Sequence, residues 1–422
     1  VLQSIKVEAL NRLGLQDAAE QVYRRLIELY PDTDAFRLQL AQFYVDQFRV
    51  DDAEQIFRER REFNPGNMDA LADLLRFLNR AVGPERARAE LEHLIAREPG
   101  NMDYRFMLAR LHQEGGNNAS AASELEAVAA SAPAQGDRHR ATALLASQHW
   151  QAGDEREAIT LAGKILEEDA QHEQALILKS SWLIRERQPD EAISTLRTLL
   201  RGSPESPGAL LLLARAHELA GDANLADEAY YRAFRASGES PGIGIAYARF
   251  LVQERRLERA AALLDQQLRR ESDHVESLVL LARIRVASGD WSRAQVLADR
   301  IRGLGDTKGV SSEIMGAVYA GQREHERSIA AFEQAFRSSS SGARPMILLV
   351  RSYAGAGEYD RAHAFLDAVL EANSKNATAR LLRGQLYFSQ GDYENATEVF
   401  EGIIARDASA VAAYRNLATA LL

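Results

Sequence analysis

The sequence predicts an all-α solenoid of about twelve helix-turn-helix repeats, and three observations carry that prediction. A small residue recurs at intervals of about 34 positions, the period of one class of two-helix repeats. It stands at Ala19, Ala53, Ala87, Ala121, Ala158, Ala192, Ala226, Ala260, Ala294, Ser328, Ala362 and Ala396. Turn glycines recur with it at Gly14, Gly116, Gly153, Gly221, Gly289, Gly357 and Gly391, and closing prolines at Pro31, Pro65, Pro99, Pro133 and Pro204. Around these marks, apolar residues follow one another at spacings of three and four, which is a helical pattern.

The unit is clearest from Leu381 to Ala408. Gly384 and Tyr387 belong to a first amphipathic segment, and Tyr393, Ala396, Phe400 and Ile403 to a second. Gly391 suits the left-handed residue that stops a helix, and Asp392 with Glu394 puts acids at the start of the next one, where the helix dipole favours them. Gly384 and Ala396 carry little or no side chain, so two helices crossing there can approach closely. A hairpin of this kind leaves an apolar face uncovered, and stacking on the next hairpin buries it.

Taken in order, the whole chain, 1–422, reads as one array, because a solenoid stays continuous at lengths where a globular chain divides. Residues 1–133 keep strict phase. A surplus of three residues falls at 134–138 and predicts a longer connection or helix. Repeats resume over 139–301 and lead to a Gly-rich junction at 302–312, RGLGDTKGVSS. Each glycine weakens a helix by about 1 kcal/mol against alanine, so this junction is expected to be the softest, as a plain surface loop or as a hinge. SSSSGARP, ending at Pro345, forms a second polar seam within the repeats of 313–422. At the end, Tyr414, Leu417, Ala418 and Leu421 read as the first helix of a thirteenth repeat with no second helix over it, as in a fragment of a longer array.

This punctuation resembles the tetratricopeptide repeat family over the whole chain. Leu213-Ala214 with Gly221, Ala226, Tyr230 and Ala233 is a good local match, as is Leu40-Ala41 with Tyr44, Ala53, Phe57 and Pro65. Departures are Lys179-Ser180 in place of Leu-Gly, Ser328 in place of alanine and Arg323 in place of glycine, and each puts local packing in question. The resemblance implies a right-handed superhelix whose first helices line a concave groove that holds a peptide or another protein. Similar long bacterial arrays occur in envelope and exopolysaccharide-export assemblies, which is the setting it implies here. The alternative is the substrate-recruiting repeat region of a larger enzyme such as a glycosyltransferase.

Composition removes other classes. No apolar run approaches the ~18 residues of a membrane span. A net charge of −10 and a pI near 5.6 argue against nucleic acid, whose phosphates need clustered Lys and Arg. With no cysteine there is no thiol catalysis, disulfide or thiolate metal site, and the absence favours a periplasm or cell envelope over the cytoplasm. The nine histidines show no HxxxH, and the closest pair, His139 and His149, is expected to straddle a loop and a helix, so no metal is predicted. Gly242-Ile243-Gly244 lacks a third glycine and a P-loop lysine and reads as a loosened start of the eighth repeat. Glu167-Glu168 reads as a solvated face, and no strained nucleophile turn is marked. No enzyme and no cofactor are predicted.

Most aromatics, including Tyr44, Phe57, Tyr230, Tyr319, Phe332, Tyr353, Tyr387 and Phe400, fall on core positions. Trp150 differs, its offset turning it toward the inner face as an anchor or against the next helix. At one offset of the first helix stands a row of arginines: Arg76, Arg110, Arg215, Arg249, Arg283 and Arg351. By the resemblance that offset faces the groove. Arg249, Arg283 and Arg351 have no acid three or four residues away, so no intrahelical pair accounts for them. Two readings follow: an acidic extended peptide, or an anionic polysaccharide, bound along the row; or pairing with acids of adjacent repeats, such as Glu218 or Glu276. Leu417 and Leu421 on the uncovered last helix make self-association a further expectation.

Overall fold

The computed structural model describes residues 6, 10, 13–63, 65–306, 308–339 and 342–421. Among them are α-helices and one π-helical turn, with no strand. The chain forms two compact units, Val1–Gly202 and Ser203–Leu422.

In the first unit, α1 (Gln16–Leu29) is followed by five hairpins. These are α2 (Asp34–Asp46) with α3 (Val50–Phe63), α4 (Met68–Phe77) with α5 (Pro84–Arg97), α6 (Met102–Glu114) with α7 (Asn118–Ser131), α8 (Gln135–Ala152) with α9 (Glu155–Glu168), and α10 (Glu173–Arg185) with α11 (Pro189–Gly202). The residues that precede α1 lie mostly outside the described residues. Helices adjacent in sequence pack on one another, and α8 also touches α10, the first helix of the next hairpin.

The second unit repeats the scheme with α12 (Pro207–Ala220) and α13 (Ala223–Ala236), α14 (Pro241–Gln253) and α15 (Leu257–Leu268), and α16 (Val275–Ala287) and α17 (Trp291–Gly303). It continues with α18 (Val310–Gly321) and α19 (His325–Ser338), α20 (Ala343–Ala356) and α21 (Tyr359–Ala372), α22 (Ala377–Ser389) and α23 (Tyr393–Arg406), and ends on α24 (Val411–Ala420). First helices again meet first helices: α14 touches α16, α16 touches α18, α20 touches α22, and α22 touches α24.

The periodic small residues are the hairpin crossings. Ala226, Ser328 and Ala396 are fully buried, and the other members of the series are buried with them. The facing position on the first helix is equally constrained. A Cβ on Gly384 would stand 2.5 Å from the Phe400 ring, and one on Gly316 2.7 Å from Phe332. The corner after most first helices takes a left-handed residue, such as Gly391 at φ 79°. Where the sequence has no glycine there, Phe48, Arg187, Arg255 and Arg323 adopt the same conformation. The missing glycine at Arg323 therefore leaves the turn intact.

Local departures have local causes. The surplus at 134–138 enters a helix: α8 has 18 residues against 13 in α6 and α10. His139 and His149 consequently share α8, which corrects the expected placement of one of them in a loop. Gly244 is no loosening either. It is buried inside α14, and a Cβ there would meet Gln267 Oε1 at 2.4 Å and Phe234 at 3.1 Å. At the Gly-rich junction, Asp306 accepts backbone N–H bonds from Lys308, Val310 and Ser311, the last at 2.6 Å, which ties the loop to the start of α18. Thr307, and Ser340 with Ser341 of the polar seam, lie outside the described residues.

The hairpin of α4 and α5 has no glycine in phase at its corner. Instead α4 widens into a π-helical turn, Leu78–Val82, and Gly83 turns the chain at φ 135° with its N–H bonded to Leu78 O at 2.8 Å. The turn accommodates a corner that arrives one residue late.

Candidate binding face of the first helices

In the first unit, Arg76 on α4 is exposed and bonds Asp73 at 2.7 Å. Asp73 also receives Arg60, which is 5% exposed and reaches Asp34 as well, so this carboxylate is shared between the surface and a buried cation. Arg110 on α6 is exposed and pairs with Glu114 at 2.9 Å, one turn on. Trp150 on α8 is half-buried against the cluster around Ala146 and Ala158, and the Arg185 guanidinium lies 5.0 Å from its ring centroid. A cation from α10 thus already lies over the ring.

In the second unit, Arg215 on α12 is exposed and lies beside the Tyr230 hydroxyl, whose own proton goes to Glu218 at 2.8 Å. Arg249 on α14 meets Glu276 of α16 at 2.8 Å, both groups being exposed. Arg283 on α16 meets Glu313 of α18 at 3.0 Å. Glu313 is only 6% exposed and takes Arg344 at 2.7 Å too. Arg351 on α20 is exposed, with no ion pair among the described residues.

These environments differ in energy. An exposed pair such as Arg249–Glu276 contributes roughly 0–1 kcal/mol and exchanges readily for another carboxylate. A cation removed from a buried carboxylate is costly, so Arg283 and Arg344 hold the α16–α18–α20 stack together. The acid-pairing reading thus describes Arg249 and Arg283, while Arg351 keeps a free charge.

Two clefts open between first helices of the first unit. One, of about 260 Å3, lies between α4 and α6; the other, of about 210 Å3, lies between α2 and α4. Arg76 and Arg80 line both. Arg80 was not singled out in the sequence because it is off the arginine offset. The available signal was its place one helical turn after Arg76, at the offset that Glu114 takes in the next repeat.

Electrostatics elsewhere are structural. Burial opposes the charge on Asp227, yet hydrogen bonds from Arg259 and Tyr247 outweigh it and hold the carboxyl below its ordinary range. Burial and a hydrogen bond to Glu333 push the Tyr353 hydroxyl up to about 12. Tyr319 and Tyr387, expected in the core, are half-buried, and Arg327 stacks on Tyr319 at 4.1 Å. Among the described residues no group of three or more His, Asp or Glu could hold a metal ion, and no helix is long and apolar enough to cross a membrane.

Stacked helical hairpins with an exposed, partly cationic first-helix face define a repeat-built binding protein. Two models of the tetratricopeptide repeat match the chain, one over residues 70–138, 183–241 and 347–411 and the other over 15–77 and 251–306. Together they span more than half of it, and the chain belongs to the tetratricopeptide repeat family, whose repeats form protein–protein interaction scaffolds. No curated protein matches it. Among solved structures, a tetratricopeptide repeat protein from Parabacteroides merdae is 17% identical, covering 58% of this chain and 98% of that one, with a TM-score of 0.46. Yeast Tom70 is 12% identical over 99% and 94% of the two chains, with a TM-score of 0.48. The APC/C hetero-tetramer Cut9-Hcn1 is 14% identical over 100% and 83%, with a TM-score of 0.39.

Proposed function

We propose that the chain is a non-enzymatic scaffold that binds an extended acidic segment of a partner protein along its first helices. The observation that carries this reading is the state of Arg249 and Arg351: exposed guanidinium groups at one repeat offset, which among the described residues are held, the first by an exposed glutamate alone and the second by no ion pair. In a chain of net charge −10 such cations select for anions by local field. Packed helices lie ~8–10 Å apart and an extended chain advances ~3.3 Å per residue, so an acidic side chain at every third position keeps step with consecutive first helices.

The test uses the full chain and a fluorescein-labelled Glu-Leu peptide, Glu-Leu-Ser repeated six times so that every third residue is acidic, followed by anisotropy at low and high salt. Binding is expected at low salt and weakened by added salt. Arg249→Glu with Arg351→Glu abolishes it, while the helical circular dichroism stays unchanged. Arg283 is left in place because its reversal would set two carboxylates together in a buried site. Peptide binding that survives the double reversal at low salt, or a Gln-Leu peptide that binds equally well, overturns the reading. Binding of an anionic polysaccharide in place of the peptide would assign the same cations to a different ligand.

A further inference from the structure

The second unit has a cleft of about 500 Å3 between the second helices α21 and α23, with α22 beneath it. Arg380, Arg383 and Tyr387 reach it from one face of α22 at spacings of three and four, while Gln385, which takes the offset of Arg351, stands on the opposite face. The cleft is thus separate from the arginine row. It opens where the repeat pattern places core. At the offset of Arg383 the preceding repeats carry Tyr247, Leu281, Met315 and Leu349, all buried, and Ile403, half-buried here, takes the offset of the buried Ile301 and Ala335. Gly402 widens the gap: no described group lies within 4 Å of where its Cβ would be, so no packing contact requires a glycine inside α23, where it is a poor helix former.

The two ends of the cleft differ in chemistry. Because α22 and α23 form a hairpin, Arg380, near the start of one, and Arg406, the last residue of the other, share an end. Arg383, one turn on, meets Asp367. Arg380 donates to Ser374 O and Arg406 is exposed, and neither has an ion pair among the described residues. Two guanidinium charges are left over, a match for a phosphate monoester, which carries about −1.5 to −2 at neutral pH. At the other end stand acceptors. Glu398 is exposed with no ion pair among the described residues, and Asn395, whose Nδ2 bonds Asp392 at 2.7 Å, presents its carbonyl oxygen. Between the ends lie Leu370, Val399 and Ile403, and the Tyr387 ring, which His363 of α21 meets at 4.5 Å between centroids.

We propose that this cleft binds a nucleoside monophosphate whose base carries an exocyclic amine. The phosphate lies at Arg380 and Arg406, the base lies against the Tyr387 ring and the apolar walls, and the amine donates to Glu398 and Asn395 Oδ1. The volume of about 500 Å3 falls within the ~300–1,000 Å3 usual for small-molecule sites. Arg380 and Tyr387 stand about 10 Å apart along α22 at ~1.5 Å per residue, the reach of such a molecule from phosphate to base. The site goes beyond the peptide-binding reading and does not depend on it.

The full chain is titrated with AMP and with CMP by isothermal titration calorimetry, and with adenosine and inorganic phosphate as the separate halves of the ligand. At least one nucleotide is expected to bind roughly tenfold more tightly than either half. Gly402→Leu fills the cleft with a better helix former and should abolish binding with an undiminished Tm. Arg406→Ala, which breaks no ion pair among the described residues, should weaken binding roughly tenfold. Arg249→Glu with Arg351→Glu, which removes the cations of the peptide-binding reading, should leave it unchanged. Binding that survives Gly402→Leu, tolerates Arg406→Ala, is lost in the double reversal or is matched by adenosine or phosphate overturns the site, as does failure of both nucleotides to bind. None of these outcomes bears on the acidic-peptide reading, which its own anisotropy titration decides.

Discussion

At the level of single residues, the departures from the repeat pattern fall into those the fold compensates and those it does not. Ser328 replaces the crossing alanine, yet its hydroxyl bonds Gly316 O and Ser352 Oγ, each at 2.9 Å. Ser180 replaces a small apolar residue on α10 and has no such help: it is fully buried and its Oγ has no hydrogen-bond partner. An orphaned buried hydroxyl costs ~1–3 kcal/mol, so Ser180→Ala is expected to stabilise the chain by about 1 kcal/mol. Ser328→Ala should destabilise it by a similar amount. Urea midpoints decide the matter, and equal signs for the two substitutions would refute the distinction. Phe48 offers a backbone counterpart, since it is left-handed at φ 57° and its ring is 91% exposed. An L-residue in that region costs ~1–2 kcal/mol, partly offset by the greater unfolded entropy of glycine. Phe48→Gly should therefore raise stability by about 0.5–1 kcal/mol; a lower urea midpoint would show that the ring contributes packing.

Among the helices, the termini carry the pH response. His172 caps α10 by accepting the Ala175 N–H at Nδ1, 3.4 Å away, and its ring meets His139 edge-on at 5.7 Å. Burial lowers the basicity of His172; Asp169 and Glu173 oppose the shift, and His139 adds to it. The unfolded chain therefore takes up the proton first. The contribution is complete above the ordinary histidine value of ~6.5 and is lost as pH falls through that value toward the lowered one. Protonation also removes the acceptor that caps the helix, worth ~1 kcal/mol. Asparagine supplies an acceptor that does not titrate. The Tm of His172→Asn should thus fall less than that of the parent between neutral and mildly acidic pH, and parallel Tm profiles would remove His172 from the account.

The same helices show what periodicity conveys and what it hides. The helix pairs, the buried alanines and the left-handed corners at Gly14 through Gly391 were legible because each rests on local sequence at a fixed interval. The surplus at 134–138 was legible as extra length, with a longer connection and a longer helix both open, and α8 takes it as helix. The π-turn at Leu78–Val82 was not, because α-helical and π-helical turns share the same residue preferences and differ by a single residue of phase. For the arginine row, the offset was readable from spacing and Glu276 was readable as a candidate partner in an adjacent repeat, but Glu313 was not. Arg249 and Arg283 meet acids 27 and 30 positions away, contacts that arise only when hairpins stack. Glu313 gives no sign in sequence that it is buried between two arginines.

For the molecule as a whole, stacked repeats make stability a sum of near-neighbour terms, so damage should stay local. Ala226 tests this at a crossing in the second unit, where it is fully buried between α12, α13 and the neighbouring apolar cluster. Leucine there overfills the crossing and forces the backbones apart, at a cost of ~1–3 kcal/mol. The cost falls first on α12–α15, whose contacts with one another are disturbed directly. Amide exchange should accelerate in those helices in the Ala226→Leu protein. In α2–α7, which belong to the compact unit Val1–Gly202, exchange should remain at parental rates. An even loss of protection over both units would mean that the chain unfolds as one cooperative body and that the near-neighbour account fails. Unchanged exchange everywhere would mean that Ala226 is not at the crossing, and with it the phase of the entire repeat series would have to be redrawn.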